Sequence, residues 1–345
     1  MVRARAAVLA VLAVLLPALA PQVGFSNPAN GTALRASLEP VEDVAARAPG
    51  AAAPGDDPLL CILDSGVDTD HVDLDDGKVV AWRDFLRGRA EPYDDNGHGT
   101  HVAGIAAASG EAGRPGAAPH ARLAVGKVMD DAGHGTSAAA ARGVAWCVAQ
   151  GALVINLSLE EQDCAGHFGL DTAIAQALRD GVLLVTTAGN RGDAPCAIHT
   201  PGSLADAITV GALAGASLAA KDVASFSGRG DGGVVKPDVL APGQGIRAAH
   251  AGTRDALRAM DGTSMAAPFV SAVVALLREA HPGASPDLVA RALRATARDG
   301  GAPGPDPAWG WGAVQPSLAL GWLDDHDPAL SAAAPGARRQ LAALA

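Results

Sequence analysis

An aspartate, a histidine and a serine lie in three separate segments whose neighbours are mostly glycine and other small residues. Asp64 opens the segment DSGVD, His98 lies within NGHGTHVAG, and Ser264 lies within GTSMAAP. A serine hydroxyl is a weak nucleophile until a neighbouring base takes its proton, and a histidine oriented by a carboxylate can be that base. The sequence therefore predicts nucleophilic catalysis by Ser264, with His98 as general base and acid and Asp64 orienting the imidazole.

The elements that must position these residues alternate along the chain. Apolar runs typical of buried parallel strands cover residues 59–63, 123–128, 153–157, 182–187 and 207–210. Stretches with a helical pattern cover residues 98–108, 136–150, 169–180 and 264–280. This alternation predicts an α/β fold with a mostly parallel sheet and helices on both faces, and reactive residues collect at the carboxyl ends of the strands in such sheets.

The three reactive segments, in this chain order, resemble the aspartate, histidine and serine signatures of the subtilisin-like (subtilase) family. Three further segments agree with that family: NLSL at 156–159, AGN at 188–190 and KPDVLAPG at 236–243. The resemblance covers about residues 58–320. It implies a three-layer subtilisin-like fold and a secreted serine endopeptidase that acts on polypeptides through an acyl-enzyme, with no cofactor required for the chemistry.

The same resemblance implies roles for residues around the triad. Asn190 is similar to the family's oxyanion-hole asparagine, and the Ser264 N–H at a helix start would share that role. Gly189 and Arg191 flank Asn190, and Arg191 is expected at the floor of the pocket for P1, the substrate residue before the scissile bond. Two backbone edges should receive the substrate as an added strand: Gly133, His134 and Gly135 on one side, and Ser158, Leu159 and Glu160 on the other.

The chain departs from the family at two places. The family often has two glycines where this chain has Glu160 and Glu161, which are expected as solvated loop charges or as specificity residues. Arg191 favours acidic or neutral P1 groups and the glutamates favour basic ones, so the sequence leaves the P1 preference open. Asp73 is similar to an aspartate that ligates calcium in several relatives, but the loop at 109–116 offers too few oxygens for a strong structural calcium site.

The chain ends suggest an exported protein. Arg3 and Arg5 precede an apolar run that ends in the small-residue sequence ALA, so residues 1–20 read as a signal peptide. Pro21 disfavours cleavage after Ala20, which leaves an uncleaved anchor as the alternative, although the run is too short for a comfortable membrane span. The remaining predicted divisions are a short pro-segment or linker at 21–55, the catalytic domain at 56–323 and a C-terminal tail at 324–345.

Composition excludes other classes of protein. Of the 345 residues, 49% are apolar and only 18% are charged, so the chain can bury a sizeable core and is not disordered. A net charge of −11 without a basic stripe excludes a nucleic-acid partner, and we expect a monomer.

Cys61, Cys147, Cys164 and Cys196 match no zinc-binding pattern and allow three disulfide pairings. Cys164 and Cys196 both lie in loop sequence, which favours that bridge. Cys61 in a strand and Cys147 on a helix could be buried thiols.

The same residues bear on three alternatives to a general endopeptidase. A processing protease of narrow specificity is supported by Glu160, Glu161 and Arg191. A non-catalytic peptide-binding module is disfavoured because the triad and Asn190 are intact. An α/β-hydrolase esterase is disfavoured because no Gly-x-Ser-x-Gly elbow surrounds Ser264.

Overall fold

A computed structural model describes residues 57–75, 77–161, 168–327 and 334–344 of the chain. The predicted signal peptide, the predicted pro-segment or linker, and Cys164 lie outside the described residues. The Cys164–Cys196 pairing therefore stays a prediction.

The centre of the fold is a parallel sheet of seven strands in the order β2-β3-β1-β4-β5-β6-β7. Most of its strand residues are buried on both faces, which is why these strands read as continuous apolar runs. The strands are β1 (Leu59–Asp64), β2 (Val79–Asp84), β3 (Arg122–Lys127), β4 (Val154–Leu157), β5 (Leu183–Thr187), β6 (Ile208–Leu213) and β7 (Val239–Pro242). A separate antiparallel pair consists of β8 (Ile246–Ala249) and β9 (Leu257–Met260).

Helices cover both faces of the sheet, as the alternation in β1 illustrates. Leu60 and Ile62 point into one apolar core, whereas Cys61 and Leu63 point into the other, because successive strand residues face opposite sides. The first core packs against α1 (His98–Ala107), α4 (Thr263–Ala280), α5 (Pro286–Thr296), α6 (Pro316–His326) and α7 (Pro335–Ala343). The second core packs against α2 (Ser137–Ala149) and α3 (Phe168–Arg179). The predicted three-layer α/β fold is confirmed.

Helix α4 is the central helix of the first layer and contacts β1, β4, β5, β6 and β7. Among the described residues it alone is long and apolar enough to cross a membrane. It is 83% buried inside the molecule, which is the position of a core helix.

Residues 324–327 and 334–344 are part of the packed structure. Helix α6 continues to His326, past the predicted domain end, and α7 buries Ala337 and Leu341 against α4. The buried imidazole of His281, at the end of α4, lies between two carboxylates, 3.0 Å from Asp324 and 3.1 Å from Asp327. The predicted tail therefore contains a helix that is docked on the core.

The expectation that Cys61 and Cys147 are buried thiols is wrong, because they form a disulfide. The bridge joins β1 to α2 across 86 residues of sequence, with the two Cα atoms 5.8 Å apart. Each cysteine lies on an element that packs against the other in the second core, a juxtaposition that only the tertiary fold creates.

We expect replacement of both Cys61 and Cys147 by alanine to lower the free energy of unfolding by about 2–5 kcal/mol, because a bridge across a long loop restricts the unfolded chain. Chemical denaturation of the two proteins without reductant measures the difference. Both keep Cys164 and Cys196, so the comparison reports on this bridge alone. Equal stability would show that the bridge does not stabilise the folded protein.

Candidate active site

The predicted reactive residues meet at the carboxyl edge of the sheet. Strand β1 ends at Asp64, β4 continues into residues 158–161, and β5 continues into residues 188–191. Because β4 lies between β1 and β5, these three strand ends are neighbours. Helix α1 begins at His98, and Ser264 is the second residue of α4, which contacts α1.

Asp64 and His98 form a buried pair. The Nδ1 atom of His98 lies 2.7 Å from Oδ1 of Asp64, and both side chains are at most 5% exposed. The same carboxylate oxygen accepts a 2.7 Å hydrogen bond from the Ser65 N–H. Since the carboxylate is an acceptor, Nδ1 carries the proton and Nε2 remains the atom that can accept another.

Opposing effects set the pKa of His98. Burial lowers it, but the negative charge of Asp64 and the hydrogen bond to it raise it, and Asp94 adds a smaller contribution in the same direction. The net result is a pKa above the ordinary value of 6.5.

Asp94 fixes the start of α1 and was missed from the sequence. One of its oxygens accepts from the Gly97 N–H at 2.8 Å and from the Ser65 hydroxyl at 2.9 Å. The other accepts from the Thr100 N–H at 2.9 Å and from its hydroxyl at 2.6 Å. Asp94 lies in the loop before α1, and an aspartate that accepts from backbone N–H groups two and three residues further on is a turn signal that could have revealed it.

Gly99 allows α1 to approach the loop after β1. A Cβ atom at this position would lie 2.2 Å from the carbonyl oxygen of Gly66, so no larger residue fits without moving the backbone. This close approach brings His98 within reach of Asp64.

Ser264 is held against the end of β4. Its hydroxyl donates to the Ser158 carbonyl at 3.4 Å, and the hydrogen bonds among the described residues do not include one between Ser264 and His98. Pro268, four residues further along α4, has no N–H to give the Ser264 carbonyl. The Ser158 hydroxyl replaces that donor at 3.2 Å.

Asn190 is oriented by the first residue of α4. Its Oδ1 accepts from the Thr263 N–H at 2.9 Å and from the Thr263 hydroxyl at 3.2 Å. These two donors fix the amide oxygen, so Nδ2 is the end that faces away from Thr263. The motif around Asn190 predicts its role, but it carries no signal for the contact with Thr263 that positions the side chain.

The expectation that Glu160 and Glu161 are solvated charges is wrong, because both are at most 2% exposed. Arg191 Nε lies 3.8 Å from a carboxylate oxygen of Glu160. Arg191 also donates from Nη1 to Nε2 of His199 at 2.8 Å, and His199 donates from Nδ1 to the Glu161 carbonyl at 2.7 Å. Charges are tolerated at such depth only when they are paired and hydrogen-bonded, which sequence cannot reveal.

The predicted edge at Gly133, His134 and Gly135 is a tight turn after β3. The Asp130 carboxylate accepts from the His134 N–H at 2.7 Å, and the Asp130 N–H donates to the His134 carbonyl at 2.7 Å. Gly135 forms a bridge back to Met129. The turn lies beside β1 because β3 and β1 are neighbours. On the other side of β1, the opposite edge, with Ser158 and Leu159, is buried.

Asp73, the residue predicted as a calcium ligand, is bound by the loop that follows α1. Its Oδ1 accepts from the Gly110 N–H at 3.0 Å, the Ala112 N–H at 3.1 Å and the Ser109 hydroxyl at 3.3 Å. Donors therefore occupy Oδ1, whereas Oδ2 of Asp73 is buried and accepts no hydrogen bond among the described residues. One open carboxylate oxygen is far fewer ligands than calcium takes in proteins. Within the described ranges, no cluster of three or more His, Cys, Asp or Glu side chains could hold a metal ion.

Comparisons with known proteins agree with this geometry. The subtilase family model (peptidase family S8) matches residues 55–312. The chain is 34% identical to serine protease AprX of Bacillus subtilis over 68% of this chain and 60% of AprX, less than two thirds of that relative. It is 39% identical to thermitase of Thermoactinomyces vulgaris, over 71% of this chain and 82% of thermitase. It is 35% identical to subtilisin DY of Bacillus licheniformis, over 68% of this chain and 82% of subtilisin DY.

The chain therefore belongs to the subtilase family. Its fold and family define a subtilisin-like serine endopeptidase, and the predicted resemblance is confirmed.

We expect the imidazole of His98 to titrate above pH 6.5, because its pairing with Asp64 favours the protonated form more than burial opposes it. Replacing Asp64 with asparagine removes the charge and should lower the His98 pKa. NMR titration of the ring nitrogens in both proteins measures the shift. An identical His98 pKa in the two proteins would contradict this account.

We expect calcium and EDTA to change the melting temperature by no more than about 1 °C, because the single open oxygen of Asp73 supplies too few ligands to bind calcium strongly to the folded state. Asp73→Ala should lower the melting temperature under both conditions, because three donors of the loop lose their acceptor. Stabilisation by calcium that disappears in Asp73→Ala would instead establish a calcium site.

Proposed function

We propose that this endopeptidase hydrolyses peptide bonds through an acyl-enzyme on Ser264. The hydroxyl oxygen attacks the carbonyl carbon of the scissile bond, and its proton passes to Nε2 of His98. The C–N bond then breaks, and the same proton goes to the leaving amine. Water, deprotonated by His98, then attacks the acyl carbon, and the ester bond to Ser264 breaks. The peptide fragment leaves as a carboxylic acid, and the Ser264 hydroxyl takes the proton back. The observation that carries the proposal is the buried 2.7 Å contact between Asp64 and His98, because it holds the proton of the neutral imidazole on Nδ1, leaves Nε2 as the acceptor and stabilises the imidazolium that forms.

The Ser264 hydroxyl must turn toward His98 for this reaction. Its contact with the Ser158 carbonyl is long, at 3.4 Å, so little free energy opposes rotation of the hydroxyl. Hydrogen bonds between catalytic groups are often long in the free enzyme and tighten when substrate is bound.

The developing oxyanion would be stabilised by two donors. One is Nδ2 of Asn190, since Thr263 holds the opposite end of that amide. The other is the Ser264 N–H, which lies in the first turn of α4, where N–H groups lack intrahelical acceptors and the helix dipole is positive. For the equivalent side-chain donor in subtilisin, the measured loss on removal is about 2.7–4 kcal/mol.

The substrate backbone would bind as an extended strand between residues 133–135 and 158–160. This role is supported by their positions after β3 and β4, on the two sides of the strand that ends at Asp64. Binding by strand addition takes its affinity from main-chain hydrogen bonds and leaves specificity to the side-chain pockets.

We also propose that the protein acts outside the cytoplasm. The disulfide between Cys61 and Cys147 supports this, because such bridges persist in oxidising compartments. The positively charged, apolar sequence of residues 1–20 is the independent argument for export.

A second candidate is a processing protease of narrow specificity within the same reaction class. The observation that favours it is the buried Glu160 and its ion pair with Arg191, close to the proposed nucleophile. A pocket with charged walls accepts fewer side chains than an open apolar one.

We expect a fluorophosphonate probe to label the mature protein at Ser264 and casein to be cleaved, with both reactions absent in Ser264→Ala. The variant removes only the nucleophilic oxygen, so its circular dichroism should match that of the parent. Labelling without casein cleavage would select the narrow processing enzyme. A folded protein that takes no label would mean that the triad does not react, and the non-catalytic peptide-binding function would replace this proposal.

A further inference from the structure

The P1 side chain must enter the protein next to the nucleophile. Two segments lie there: residues 158–161 after β4 and residues 188–191 after β5, which we call the two pocket walls. The first wall contacts Ser264 through Ser158, and the second contains Asn190, which is bonded to Thr263. A P1 side chain attached to the attacked carbonyl would therefore point between these two walls.

Glu160 crosses from the first wall to the second. A Cβ atom built on Gly189 would lie only 2.2 Å from Oε2 of Glu160, so this carboxylate packs directly on the Gly189 backbone. With a φ of 81°, Gly189 also has a backbone that favours glycine. The two walls thus touch at the point where a deep pocket would have to open.

Two further side chains hold Glu160 in this position. Arg191 lies 3.8 Å from its carboxylate and is itself 36% exposed. His199, which is 3% exposed, accepts from Arg191 and donates to the Glu161 carbonyl. The hydrogen bond to Arg191 makes Nε2 of His199 an acceptor, so His199 is neutral and fixes the guanidinium beside Glu160. Rotating Glu160 out of the gap would separate a buried charge from its partner.

We propose that Glu160 closes the P1 pocket and that the enzyme selects glycine, alanine or serine at P1. This inference rests on the proposed function. Large apolar side chains are excluded because the carboxylate and its contacts occupy the space between the walls. A basic P1 residue gains little from Glu160, because Arg191 already neutralises it and the gap is too short for a long side chain.

The test uses fluorogenic tetrapeptides that differ only at P1, with alanine, phenylalanine or arginine at that position. The wild-type protein should cleave the alanine peptide with a kcat/KM at least about tenfold above that for the other two peptides. About tenfold is the smallest discrimination expected when a pocket rejects a side chain by its size. Glu160→Gly removes the side chain between the walls. We expect it to raise the phenylalanine-to-alanine ratio of kcat/KM by about tenfold or more. A gain of this kind cannot arise from misfolding.

Glu160→Gln is the matched control, because it keeps the size of the side chain and removes its charge. If volume closes the pocket, Glu160→Gln retains a preference for alanine over phenylalanine. A wild-type preference for arginine that disappears in Glu160→Gln would overturn the proposal and make the carboxylate an electrostatic receptor. A wild-type preference for phenylalanine would also overturn it.

Fluorophosphonate labelling of each variant separates this proposal from the proposed function. Labelled proteins with the wrong P1 profile overturn only the closed pocket. A wild-type protein that takes no label and cleaves none of the peptides overturns both.

Discussion

A chain of buried side-chain hydrogen bonds attaches α4 to the sheet, and the position of Ser264 depends on it. Because Pro268 leaves the Ser264 carbonyl without its helical donor, the Ser158 hydroxyl supplies one. That hydroxyl accepts from Asn156, at 2.9 Å, and Asn156 in turn accepts from Ser271, one turn beyond the proline, also at 2.9 Å. The side chains that replace the missing backbone donor therefore join the central helix to β4 and the segment after it. Buried polar chains whose members are all satisfied rigidify what they join.

The electrostatics of the site depends on which charged side chains the strand ends place in the same buried region. Asp64 lies at the end of a strand buried on both faces, where its negative charge is poorly solvated and therefore acts strongly on His98. His101, one turn along α1, is also buried but donates only to the backbone carbonyls of Ile246 and Arg258. Burial dominates there and lowers the pKa of His101 to about 4. The pKa values of the two histidines are thus shifted in opposite directions, because only His98 has a carboxylate partner.

The sequence predicted the elements whose signals are local. Strands β1 and β3 to β6 are continuous apolar runs because both faces are covered, and four helices were found within two residues of their ends. Strand β2 is half exposed at the sheet edge and lacks such a run, and α5 to α7 were not separated from the surrounding sequence. The burial of Glu160 and the bridge between Cys61 and Cys147 depend on residues far apart in the chain. The triad residues could be proposed because their motifs are contiguous, whereas the contact by which Thr263 orients Asn190 joins residues 73 positions apart and is defined only in space.

The docking of α7 has a consequence for a protease that works among copies of itself. Any loose chain end is a substrate for a neighbouring molecule, because strand addition requires only an extended backbone. Helix α7 buries Leu341 against α4. Arg338 donates a 2.7 Å hydrogen bond to Asp324, which also contacts the buried His281. The backbone N–H and C=O groups of a helix are already hydrogen-bonded within it, so they cannot pair with a protease as an added strand. Residues 335–343 are thereby withheld from strand addition, and they cover part of the helix that contains Ser264.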